Sequence, residues 1–81
     1  MTKSSDPDYV LSLARGLQVS EAFNDSPRGR TVSDLSAATG LSRAAVRRLL
    51  ITLEQLGYAQ RDGAVYRLTT RILRLGFSYL S

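Results

Sequence analysis

Arg43, Arg47 and Arg48 stand within six residues of one another, with only Ala44, Ala45 and Val46 between them and no acid until Glu54. Arginine keeps its charge at any working pH, and its planar fork fits two acceptors at once, whether phosphate oxygens or the O6 and N7 edge of guanine. Three such forks beside small alanines, on a helix that can seat deeply, suit a polyanion. Arg61, next to Asp62 and Gly63 at a turn, is a fourth candidate for a phosphate or a narrow groove. The Ser42 hydroxyl could touch a phosphate or cap a helix, the second use being commoner. Arg15 and Thr31 are weaker phosphate candidates.

The charge is unevenly spread. Residues 1–42 carry a net of −1, and residues 43–81 a net of +5, giving +4 overall with ten of eleven cations arginine. The inventory also excludes chemistry. Without His or Cys there is no imidazole base, no thiolate, no zinc site of the usual kind and no disulfide framework. No glycine-rich phosphate loop is present either, so neither an enzyme nor a bound cofactor or metal is expected. Unbroken apolar runs reach three residues, too short to span a bilayer. The N-terminal stretch lacks the apolar core of a signal peptide, so a cytoplasmic setting is expected.

The positioning elements follow from periodicity. Residues 1–8 read as a disordered tail. Residues 9–23 form a first helix with Leu13, Leu17, Val19 and Phe23 as its apolar positions, weakened by Gly16. The breaker cluster 24–29 is a loop, and residues 30–32 could make a short strand. Ser33 is expected to cap a second helix over 34–39, closed by Gly40 in a left-handed conformation. Ser42 then caps the longest periodic segment, 43–56. There Val46, Leu49, Leu50, Leu53 and Leu56 make a buried stripe, with Ala44, Arg48 and Gln55 opposite. Arg48 points farthest from that stripe and Arg47 flanks the same outward face; either could meet bases or phosphates. Gly57 stops the helix. Residues 58–61 and 64–68 read as strands joined by Asp62-Gly63, with Tyr58 and Tyr66 packing across the hairpin. A last helix, 71–80, is apolar nearly all round and so is expected to be buried on more than one side. Arg71 and Arg74 are expected to face solvent or a further domain.

The order is helix, short strand, helix, helix, two-stranded wing, helix: mainly α with a small β-hairpin, a winged helix-turn-helix. Eighty-one residues make one domain, 9–70, followed by a linker helix, 71–81. A chain of this size buries only about 60% of its extended surface, so a partner or dimer would help it. The rival to nucleic-acid binding is a winged-helix protein-interaction module. A membrane-surface helix fits poorly, because the apolar face of 43–56 is needed for the core.

SLARGLQVSEAF followed by LSAATGLSRAAVRRLLITLEQLGYAQRDGAVYRLTTRILRLG resembles the N-terminal domain of IclR-type bacterial transcription factors over nearly the whole chain. The Ala44-Ala45-Val46-Arg47-Arg48 run is similar to the subgroup controlling aromatic-acid catabolism through the β-ketoadipate pathway, the protocatechuate and 4-hydroxybenzoate regulators. The resemblance implies that Ser42, Arg43, Ala44, Arg47 and Arg48 begin the recognition helix, and that Arg61, Asp62 and Gly63 form the wing tip. It further implies a larger C-terminal domain that binds an aromatic-acid effector outside this chain. A homodimer or dimer of dimers on double-stranded, inverted-repeat DNA is also implied.

Overall fold

The computed structural model describes residues 5–24, 26 and 28–80. Its elements are α1 (Leu11–Glu21), β1 (Arg30–Thr31), α2 (Val32–Thr39), α3 (Arg43–Gln55), β2 (Ala59–Asp62) and β3 (Val65–Leu68), then a 3-10 turn (Thr70–Leu73) running into α4 (Arg74–Leu80). The three strands form one antiparallel sheet in the order β1-β3-β2. The wing is therefore three-stranded: the short segment before α2 pairs with β3, Arg30 opposite Tyr66 and Thr31 opposite Val65.

Of the expected tail, residues 1–4 lie outside the described residues; residues 5–8 are exposed. A turn at Asp6, whose carboxylate accepts the Asp8 amide at 2.9 Å and whose carbonyl accepts the Tyr9 amide at 3.0 Å, leads towards α1. Of α1's expected apolar positions, Val19 is buried and Phe23, just past the helix, nearly so, while Leu13 and Leu17 stay exposed. In the loop 24–29, residues 25 and 27 lie outside the described residues. Gly29 closes that loop at φ 95°, and a Cβ there would fall on the Tyr66 carbonyl oxygen, so β1 can approach β3 only because this residue is glycine.

The second helix starts earlier than expected, because Thr31 and not Ser33 is its cap. Thr31 is extended at φ −85°, ψ 167°, its hydroxyl accepts the Asp34 amide at 3.1 Å, and the Asp34 carboxylate accepts the Thr31 amide at 3.0 Å. This reciprocal pair needs a carboxylate three residues after the hydroxyl. Thr31 has one; three residues after Ser33 stands Ser36. Gly40 ends α2 at φ 79°, as its position predicts. The link to α3 is pinned from both sides. Ser36 Oγ donates to the Leu41 carbonyl at 2.6 Å, Thr39 Oγ1 accepts the Leu41 amide at 3.2 Å, and the Gln18 side-chain amide of α1 donates to the Thr39 carbonyl at 3.0 Å.

α3 opens at Ser42, whose hydroxyl accepts the Ala45 amide at 3.1 Å. Val46 and Leu50 are fully enclosed, and with Val19, Phe23, Leu35 and Tyr66 they form the core; Leu49 and Leu53 pack at its edge. Leu56 falls outside the helix and is exposed, so the buried stripe ends one turn earlier than the spacing suggests.

The hairpin turn is also shifted by one residue. Asp62 pairs with Val65, leaving Gly63 and Ala64 as the loop. Gly63 has φ 63° and no non-glycine residue has positive φ among the described residues, the pattern of a turn that asks for glycine at its first central position only. The two tyrosines do not pack across the hairpin. Tyr66 enters the core opposite Arg30 and Arg61, whereas Tyr58 precedes β2 and lies under the Arg71 guanidinium, 5.6 Å from the ring centre. Arg71 is thus seated on this chain, and Arg74 is exposed.

The last helix differs most from expectation. It packs on the preceding 3-10 turn rather than on the core, and Phe77, Tyr79 and Leu80 are 67%, 91% and 80% exposed. The 3-10 turn, capped by Thr69, carries the chain away from the core, and the large apolar side chains of α4 remain mostly exposed.

Candidate nucleic-acid interface

α3 is held from below by its leucine and valine stripe and presents its other side to solvent. Ser42, Arg43, Ala44, Arg47 and Arg48 are all exposed, and Ala45 is half-buried. Among the described residues the ion pair is Arg67 with Asp62 at 3.9 Å, and no α3 arginine is paired with a described acid. That one pair is long and solvent-exposed, a weak contact.

Successive residues of an α-helix are about 100° apart, so Arg47 and Arg48 leave α3 in different directions. Arg47 lines a cleft of about 260 Å³ together with Arg61 and Gly63 of the wing and with Thr31 and Ser33 at the start of α2. Arg48 lines a separate crevice of about 410 Å³ against α1. The sequence spacing predicts that Arg47 and Arg48 share an outward face; the structure separates their neighbourhoods. At the wing tip, Arg61 Nη1 donates to the Gly63 carbonyl at 3.3 Å, which ties the arginine to its own turn. Asp62 points its carboxylate to Arg67 instead.

The start of α2 joins this surface, although among its residues the sequence pattern marks Thr31 alone as a phosphate candidate. Val32 and Ser33 line the wing cleft, and the first-turn amides of a helix have no acceptors within the helix. The Thr31 and Asp34 spacing is the signal that could have found it, since a hydroxyl followed by an acid three residues later marks a helix start. The Asp34 carboxyl is held below its usual range chiefly by the Thr31 amide, then by the Thr31 hydroxyl, with a smaller contribution from the Arg30 charge.

A buried-core helix pair joined by a tight glycine turn, a second helix exposing unpaired arginines, and a β-hairpin beside it define a winged helix-turn-helix domain. The chain belongs to the IclR helix-turn-helix domain family, which it matches over residues 12–63. It is 50% identical over 78 residues to the Pca regulon regulatory protein of Pseudomonas putida, covering 96% of this chain and 27% of that protein. It is 45% identical over 74 residues to the p-hydroxybenzoate hydroxylase transcriptional activator of Acinetobacter baylyi, covering 91% of this chain and 27% of that protein. Its backbone is similar to the crystal structure of an IclR-family transcriptional regulator from Brucella abortus, with a TM-score of 0.86 at 36% identity over 99% of this chain and 31% of that one. The chain thus spans about a quarter of the length of the curated relatives it matches.

Proposed function

We propose that this chain is the DNA-contacting domain of a cytoplasmic transcription regulator of aromatic-acid catabolism genes, with α3 lying in the major groove and the hairpin as its wing. The observation that carries the reading is the outward side of α3, where Arg43, Arg47 and Arg48 are exposed beside the small Ala44 and have no ion-pair partner among the described residues. Ser42, Arg43, Ala44, Arg47 and Arg48 are the residues assigned to the groove, and Arg61 and Gly63 those assigned to the wing contact. The catabolic role is supported by the names of the relatives, a Pca regulon regulator and a p-hydroxybenzoate hydroxylase activator. An aromatic-acid effector would bind in a part of the regulator beyond these residues.

A homodimer on an inverted repeat goes with this reading. Its support is an apolar groove of about 450 Å³ between α1, α3 and the last helix, lined by Leu13, Leu17, Leu53, Leu56, Ile72 and Leu75. Exposed apolar patches on so small a domain are suited to a partner surface. No helix among the described residues is long and apolar enough to cross a membrane.

The test is selection of bound duplexes from a random pool, followed by titration of the selected and a scrambled duplex at several salt concentrations. The expected outcome is an enriched site with two-fold symmetry, tighter binding to it than to the scramble, and affinity that falls with salt. Recovery of no preferred sequence, with equal weak affinity for both duplexes, would favour a protein-interaction module instead.

A further inference from the structure

Arg15 belongs to α1, outside the helix-turn-helix, yet its side chain lines the same crevice as Arg48 of α3. Ser12, Ala45 and Thr52 with the apolar Leu11 and Leu49 complete its lining, and no carboxylate is among them. Neither guanidinium is in an ion pair among the described residues, and the first turn of α1 adds no acid. Two cations from different elements that face one concavity repel each other until an anion enters, after which both attract it. The small Ala45 side chain leaves the space for such a group. Thr52 is turned to the Arg48 carbonyl at 3.2 Å, so the arginines are the principal donors.

The position of the crevice says which anion. A helix in the major groove has one sugar–phosphate strand along each flank. On one flank of α3 stands the cleft shared by Arg47 and Arg61; on the other stands the crevice shared by Arg48 and Arg15. We infer that the Arg15–Arg48 crevice is a backbone-phosphate site, which holds one strand while the wing cleft faces the other. The inference rests on the DNA-contacting reading above and extends it. It makes α1 part of the DNA surface, and it makes Arg48 a contact that sets register and carries no sequence information.

The experiment compares the wild-type chain with Arg15→Ala and Arg15→Lys on a selected and a scrambled duplex across a salt series. Arg15→Ala is expected to weaken both complexes by the same factor and to make the log–log salt slope shallower by about one unit. Arg15→Lys keeps the charge and is expected to keep the slope. A second readout replaces single phosphates of the selected duplex by neutral methylphosphonates. One position should weaken wild-type binding and have no effect in Arg15→Ala, a result that altered folding alone does not produce. An unchanged salt slope for Arg15→Ala, or a phosphonate profile that the substitution leaves intact, overturns the site. If the wild-type chain bound neither duplex, the DNA reading itself would fall, and the site with it.

Discussion

Arg47 and Arg48 are neighbours in the chain that serve opposite flanks of one helix, the first facing the wing and the second facing α1. Both are exposed and, among the described residues, neither has an ion-pair partner on which the fold depends. Arg48→Ala is therefore expected to weaken binding to the selected and scrambled duplexes alike, with a salt slope shallower by about one unit, while the thermal midpoint stays where it was. Anisotropy titrations paired with circular-dichroism melts check both halves, and an unaltered affinity would remove Arg48 from the interface. Gly29 is the converse, a residue far from chemistry on which the wing depends. Gly29→Ala places a side chain at φ 95° against the Tyr66 carbonyl. The backbone conformation alone costs on the order of 1–3 kcal/mol for a non-glycine residue, so a clear drop in melting temperature is expected, and a wild-type melt would contradict it.

At the scale of elements, α2 shows how local chemistry fixes a boundary. Its start depends on the reciprocal bonds of Thr31 and Asp34, and Thr31→Ala should destabilise the domain by about 1 kcal/mol. Because the folded state lowers the Asp34 pKa, the stabilisation is present above the ordinary carboxylate pKa and fades as the pH falls through the lowered one. The melting temperature should therefore decline below about pH 4, and the decline should be shallower in Asp34→Asn; identical acid limbs for the two proteins would refute the link. Gly16 is a different case, a helical glycine with nothing within 4 Å of the place a Cβ would occupy. Gly16→Ala should stabilise α1 by up to about 1 kcal/mol. The helix pair, the Ser42 cap and the core stripe of α3 are legible in the sequence because each is set by local spacing: a hydroxyl before a periodic run, leucines at helical intervals, glycine after the last turn. The sheet partner of β1 is not, since two residues carry no period and their pairing with β3 is decided across more than thirty positions of chain. The exposure of the last helix escapes the sequence for a related reason. Apolar residues on every side report an appetite for burial, and the identity of whatever covers them lies outside the helix.

For the whole molecule, the outward arginines lie on the first turns of α3 and the apolar groove on its last, and the proposed reading gives the first to DNA and the second to a partner. Leu17 and Leu75 line that groove and are 50% and 60% exposed. Leu17→Glu is expected to leave the fold intact and to reduce self-association in sedimentation experiments, and unchanged association would place the dimer interface elsewhere. The family relatives are longer than this chain, which matches 27% of the Pseudomonas putida protein. The central claim is that the face of α3 bearing Arg43, Arg47 and Arg48 meets a DNA duplex. Its most direct test is the salt dependence of binding for the wild-type chain and for a variant with all three arginines changed to alanine, with the melt of each protein recorded alongside. The variant is predicted to melt like wild type, to show no preference for the selected duplex and to have a salt slope shallower by two units or more, at about 0.9 for each phosphate no longer neutralised. A folded triple variant that binds the selected duplex with wild-type affinity and slope would contradict the claim.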